Sequence, residues 1–296
     1  MSETPSGFSR RRLLRYGAIG TMGIIAGCLG GDDDSPEDSS PDDGTPDDSP
    51  PGDEELPELF ELSGNGADPF REWVVPNNRI VHENGTETLF AYRDYERAAE
   101  SGWEEATNER QEAASSFGSQ TDDHTGTVIV GVPDENILGT LYLGSFDKEA
   151  VVEAQEAAGA TVTGEYEGFT VLEDRLAVGS DALLQTPGYE QHIDARNGDT
   201  PRLGESDGSV QLGLDLVPRG LQIVASPNPD HENIDVTITS TQAVDDSGNR
   251  QRIIRTFVFR NAEVTSLDRA KSTSNYDELL TEEHHGRVVM LEYVPA

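Results

Sequence analysis

An α+β fold, mainly antiparallel sheet with helices on one face and two related halves, is what the sequence predicts. Three observations carry this reading. Apolar strands that run into capped helices recur along the chain, short strands parted by turn residues follow one another, and later strands alternate apolar with polar side chains.

The first strand-to-helix unit is "ETLFAYRDYERAAES", where Leu89, Phe90 and Tyr92 lead into a helix opening near Asp94. "GTLYLGSFDKEAVVEAQEAAG" repeats the plan. Leu141, Tyr142 and Leu143 form its strand, Asp147 caps its helix, Ala150, Val151, Ala154 and Ala158 recur at helical spacing, and Gly159 supplies the stop. "RTFVFRNAEVTSLDRAKS" is a weaker third copy, with Phe257, Val258 and Phe259 leading to Asn261. Between the second and third copies, short strands parted by Glu167-Gly168 and Glu173-Asp174 predict an antiparallel meander. Ile234, Val236 and Ile238 alternate with Asp235, Thr237 and Thr239, which predicts one buried and one wet face. A long strand from about Arg250 to Arg260 and a last one in "GRVVMLEYV" complete the set. The halves meet near residue 200, in the polar, Gly-rich "ARNGDTPRLGESDGS", so residues 56–200 form the first half and 201–296 a strand-rich second half.

Ahead of the folded part the composition changes twice. Residues 30–55 contain twelve acids, no base and no large apolar side chain, so 28–55 is expected to be an acidic, disordered stalk. Residues 1–27 read as a targeting segment: a basic run is followed by only twelve mostly small or apolar residues, Tyr16 to Gly27, too few for the ~20 that a membrane-spanning helix needs. Ser9-Arg10-Arg11-Arg12-Leu13-Leu14-Arg15 resembles the twin-arginine export signal, with Arg10 and Arg11 as its arginine pair. Ile25-Ala26-Gly27-Cys28 resembles the lipobox of lipoproteins. That resemblance implies cleavage before Cys28, lipid on its sulfur, anchoring on the outer face of the cell membrane, and the twin-arginine translocase as a partner during export. Cys28 is the only cysteine, so once it carries lipid no thiol remains for disulfides, zinc or catalysis.

The formal net charge is −36, from 57 acids against 21 bases, and only Lys148 and Lys271 among the bases are lysines. At low ionic strength such a charge opposes compaction, but at 1 M salt the Debye length is only about 3 Å. Acid-rich, lysine-poor composition resembles that of proteins from extremely halophilic archaea. The run from Gly144 to Asp199, with Tyr166, Gly168, Phe169 and Thr170 matching best, resembles a segment of uncharacterised lipoproteins from those organisms. It implies fold and address and brings no site. Nucleic acid is not an expected partner, because phosphate contacts need a clustered basic face; Arg250, Arg252, Arg255 and Arg260, the nearest thing to one, read as one solvated sheet face.

Few residues suggest chemistry. Gly64-Asn65-Gly66 cannot open a dinucleotide loop, since Pro69 occupies the place of its third glycine, and no Gly-x-Ser-x-Gly elbow or P-loop occurs. His231-Glu232 begins like a zinc-protease helix, but Asp235 stands where the second histidine belongs. Glu282-Glu283-His284-His285 is the best metal candidate, read instead as a solvated turn because successive side chains point apart. Trp73 and Trp103, with Tyr92 and Tyr95, read as core and boundary packing. Asn84-Gly85-Thr86 is an N-glycosylation sequon. The expectation is a non-enzymatic, cofactor-free, lipid-anchored surface protein with a binding or structural role and an envelope protein as partner. The alternatives are a solute-binding lipoprotein of a transporter or an extracellular hydrolase.

Overall fold

The structure is a computed structural model that describes residues 64–76, 80–81, 87–131, 138–173, 175–227, 233–243 and 251–295. The chain divides into Met1–Thr45, none of it among those residues, and Pro46–Ala296, to which everything below belongs. Fourteen strands are described. β1 (Ile80–Val81) and β2 (Glu87–Thr88) pair with each other, and the other twelve form a single sheet.

β3 (Phe90–Asp94) is buried along its whole length. Asp94 ends it and begins helix α1 (Tyr95–Glu100), its carboxylate accepting from Arg97 N at 3.0 Å, the bond expected of a helix N-cap. Helix α2 (Glu104–Phe117) buries Ala106, Ala113, Ala114 and Phe117 and stops at Gly118, whose φ of 71° suits a residue without Cβ. β4 (His124–Gly131) and β5 (Leu138–Gly144) then form a hairpin. Asp147 caps α3 (Lys148–Ala157), as the sequence predicts, accepting from Ala150 N at 3.0 Å. The predicted meander follows: β6 (Val162–Tyr166), β7 (Phe169–Leu172), β8 (Leu176–Val178) and β9 (Ala182–Gln185), each antiparallel to the next. Glu167 and Gly168 turn β6 into β7 with φ of 45° and 86°, the two left-handed residues of a type I′ hairpin.

Three helices succeed the meander: α4 (Tyr189–Asn197), α5 (Leu203–Ser206) and α6 (Gly208–Leu216). β10 (Gln222–Pro227), β11 (Ile234–Ala243) and β12 (Gln251–Phe259) run as a second meander. Helix α7 (Leu267–Ser272), capped by Ser266, leads to the final hairpin of β13 (Tyr276–His285) and β14 (Val288–Pro295). Every pairing is antiparallel, and the order is β13-β14-β12-β11-β10-β3-β4-β5-β9-β8-β7-β6. The seam that joins the β3–β9 part of the sheet to the second meander is β3 against β10, with Phe90 opposite Ala225 and Arg93 opposite Gln222. The chain is thus α+β with mainly antiparallel sheet.

Helices cover both faces, which corrects the expectation of one. On the front, Tyr189 and Ile193 of α4 with Val210 and Leu214 of α6 share a core with Tyr92, Val128, Leu141, Leu184, Ile223 and Ile238. On the back, one register row runs Leu183, Tyr142, Thr127, Arg93, Gln222, Thr241, Ile253, Tyr293 across eight strands. Its left end lies under Phe117 of α2 and Val151 of α3, its right end under Ala270 of α7. The sequence pattern hid this because β7, β9, β12 and β14 read as apolar runs, which show burial without showing that it is two-sided. The arginines need a correction too. Arg252 and Arg255 are three residues apart on a regular strand and therefore point to opposite faces, Arg252 to Glu292 and Arg255 to Thr239.

Candidate functional site

A dense polar cluster lies where β3 hands the chain to α1. Arg93 on the back of β3 is only 7% exposed. Its guanidinium pairs with Glu109 of α2, stands 3.9 Å from Glu105, and lies over the Trp103 ring at 4.8 Å. Tyr95 donates to the same Glu109 carboxylate at 2.9 Å, and burial raises both the Tyr95 and Tyr92 phenols well above their usual range. Asp94, fully buried, accepts from Arg219 at 3.1 Å and 3.0 Å as well as from its own helix. Each buried charge thus faces an opposite charge, the condition under which ions tolerate a dry site. Such pairs fix the helices to the sheet.

One strand further on, Ser119 Oγ and His124 Nε2 stand 2.8 Å apart. His124 is fully buried, among the rings of Phe117, Tyr142 and Phe146, and burial pushes its pKa down to about 4. A serine nucleophile needs a histidine whose other nitrogen is oriented by an acceptor. His124 Nδ1 is buried and has no partner. The tautomer that leaves only a lone pair unmet there carries its proton on Nε2 and donates to Ser119. In that form the pair ties the end of α2 to the start of β4. The second buried histidine, His192 of α4, holds the carbonyl of Trp73 through Nδ1 at 2.6 Å and is likewise pushed down to about 4 by burial.

Sequence reasoning missed Arg93, His124 and His192. "FAYRD" gives no sign that its arginine is buried, and the ring cage of His124 comes from residues contributed by α2, β5 and the entry to α3. The predicted aromatic packing is present: Trp73, Tyr92 and Tyr95 are buried, and Trp103 lies at the boundary against Arg93. Glu282-Glu283-His284-His285 lies within β13, not in a turn; His284 faces Val289 and His285 faces Val288, on opposite faces. Among the described residues no three His, Cys, Asp or Glu side chains are grouped as a metal ion would require. Asn65 makes an isolated bridge to Pro218, and Asp235, the second residue of β11, accepts from Ser209 at 2.8 Å. Arg10, Arg11, Cys28, Asn84, His231, Glu232 and Arg250 lie outside the described residues.

No family model matches the chain, and no curated protein matches it. Among solved structures, crystal form I of TP0453 is similar over 77% of this chain and 92% of its own, at 10% identity and a TM-score of 0.45. Crystal form IV of the same protein covers 71% and 89% at 9% identity, with a TM-score of 0.39. At these scores the likeness is partial and assigns neither fold nor function.

Proposed function

We propose that this is a lipid-anchored, extracytoplasmic surface protein of a halophile, carrying its folded part on an acidic stalk and acting by binding or as a structural part of the envelope. The observation that carries the reading is Ile25-Ala26-Gly27-Cys28, a lipobox holding the chain's only cysteine, placed a short apolar run after Arg10-Arg11. Two lipid chains on that sulfur, at about 0.8 kcal/mol per buried CH₂, suffice for stable anchoring. Among the described residues no helix is long and apolar enough to cross a membrane. The acids support the halophilic part: Glu149, Glu153 and Glu156 of α3 and Glu104, Glu105 and Glu112 of α2 all face solvent. A binding or structural role is supported by the way the buried charges of Arg93 and Asp94, among the described residues, are each matched by an opposite charge.

A duplication belongs to the same proposal. Outward from the seam, β4-β5-α3 followed by the hairpin β8-β9 is matched by β11-β12-α7 followed by β13-β14, and in each case the last strand returns beside the strand that precedes the helix. The two strand-to-helix units recognised in "GTLYLGSFDKEAVV" and "RTFVFRNAEV" occupy the equivalent places. β6 and β7 are then an insertion in the first copy.

The anchoring is tested in the native host. Cys28→Ser should move the protein from the membrane fraction to the medium, and paired Arg10→Lys, Arg11→Lys should leave it unexported. Retention of the Cys28→Ser chain in membranes would overturn the reading.

A further inference from the structure

Helix α2 has little of what keeps the front helices in place. Its 14 residues bury Ala106, Ala113, Ala114 and Phe117, three methyl groups and one ring. The shorter α6 sets Val210 and Leu214 into the front core, with Leu212 and Leu216 half-buried beside them, and α4 adds Tyr189 and Ile193. Burial stabilises in proportion to the apolar area taken from water, and an alanine offers the least of it.

Charge works against the same helix. It carries Glu104, Glu105, Glu109 and Glu112 against Arg110 alone. Glu105 and Glu109 are four residues apart and Glu109 and Glu112 three apart, spacings that bring like charges to neighbouring places about 5–6 Å apart on a helix, where they repel. The Debye length is about 3 Å at 1 M salt, shorter than that separation, and about 10 Å at 0.1 M, longer than it. Molar salt therefore screens the repulsion and dilute salt does not. Arg93 on Glu109 fixes where α2 lies but adds little net hold, since both ions give up water to pair and recover it on parting.

Closure also leaves polar atoms unmet. Arg110 Nε is buried without a hydrogen bond, and its guanidinium, on a side chain 12% exposed, reaches Asp122, 99% exposed, only at 3.8 Å. Against Phe117, at the last turn of α2, His124 Nδ1 is likewise buried and unmet. A buried polar group without a partner costs its lost hydration, and lifting α2 returns both to water. The ends of the helix are built to move: Gly102, just ahead of the N-cap Trp103, and Gly118, the C-cap, are exposed and both sit at φ 71°. Glycine turns freely there, and residues at element ends absorb the backbone change of a hinge.

We propose that α2 is a flap, hinged at Gly102 and Gly118, that salt holds shut over the back of the sheet. In molar salt it covers Arg93 and packs Phe117 on Tyr142. As ionic strength falls it lifts ahead of the rest of the fold, and the back face exchanges an acidic helix for a surface with an arginine at its centre. The flap works in the same way whether or not the chain is anchored to a membrane.

Hydrogen exchange of the full chain, read peptide by peptide in about 1 M and about 0.1 M potassium chloride, tests this. Amides of α2 should exchange roughly three- to fivefold faster at the lower salt, the size expected when two like-charge pairs lose their screening. Those of α6 and β3 should keep their protection. Glu105→Gln with Glu112→Gln removes both pairs, leaves Glu109 on Arg93, and should make α2 as protected in dilute salt as in molar salt. Equal protection of α2 at the two salts in the parent overturns the proposal. So does an α2 that loses protection only together with α6 and β3, or a salt response that survives in the double variant.

Discussion

Asp94 and Arg219 meet across the seam of the sheet: the carboxylate that caps α1 is wholly buried and holds a half-exposed guanidinium, Nη2 at 3.0 Å, from the turn that leads into β10. The backbone follows the same path, Asp94 N donating to Leu221 O at 2.9 Å. A carboxylate whose local partner is the capped N–H of Arg97 is thereby satisfied from across the seam. Removing Arg219 leaves that carboxylate buried with one helix N–H as its remaining partner, and breaking buried pairs in this way costs on the order of 3 kcal/mol. Arg219→Ala should lower the urea midpoint in molar salt accordingly, and Asp94→Asn, which keeps a capping oxygen and sheds the charge, should cost less. Equal, negligible losses for both would show that the pair does not hold the seam.

Acid sensitivity should come from His124 and His192. Both are pushed from the ordinary 6.5 down to about 4 by burial, so between those values the unfolded chain binds protons that the folded one refuses. Their contribution is whole above about pH 7 and is lost as pH falls towards 4, at roughly 1 kcal/mol per pH unit for each. Urea unfolding of the parent and of His124→Phe at pH 7 and pH 5 isolates one of them from the carboxylates. The variant should lose less stability over that step, and parallel slopes would assign the acid response elsewhere.

The β6–β7 turn is improvable. Glu167 sits at φ 45°, a left-handed conformation that costs a residue of its shape about 1 kcal/mol or more and that asparagine adopts more readily. Glu167→Asn should raise the melting temperature by about 1–2 °C, the shift expected of several tenths of a kcal/mol in a folded unit of this size. A lower melting temperature would mean that the turn relaxes to another type in solution.

Gly144 is needed for close approach. A Cβ there would lie 1.8 Å from Asp123 O, the carbonyl that accepts from Ser145 N at 2.8 Å. Gly144→Ala should destabilise by roughly 1–3 kcal/mol, the usual range for overpacking, whereas Gly188→Ala, which meets nothing within 4 Å, should fall within about 0.5 kcal/mol of the parent, as substitutions away from special features do.

What was legible in the sequence was what local chemistry decides. Asp147, Gly159 and Glu167-Gly168 mark the ends of α3 and the first meander turn because a cap or a positive φ is a property of a few neighbouring residues. Helix α6 was hidden by its glycines. The Gly-rich junction read in the sequence ends at Ser209, just inside α6, and a Cβ at Gly213 would lie 2.7 Å from Ile238 Cδ1, so this glycine lets the helix lie close on the sheet. β13 was hidden by its acids, since a strand with one neighbour and no buried face needs no alternation of apolar residues. The cage around His124 needs Tyr142 and Phe146, which the chain supplies only after the β4–β5 hairpin has formed, as well as the nearby Phe117, and the burial of Arg93 needs α2 to fold back over β3; neither is a property of a few neighbouring residues.

The seam also sets an order of events. Each meander pairs strands that follow one another closely along the chain, so β4 with β5, β6 through β9, and β10 through β12 can zip as soon as their own residues are available. β3 against β10 cannot: Phe90 must find Ala225, with both helical layers of the first half lying between them in the chain. Closing so long a loop adds little to the equilibrium cost, which grows only with the logarithm of length, but it slows folding, because contacts between distant residues form late. The molecule should therefore pass through a state in which two preformed sheets wait, edge to edge, for their central hydrogen bonds.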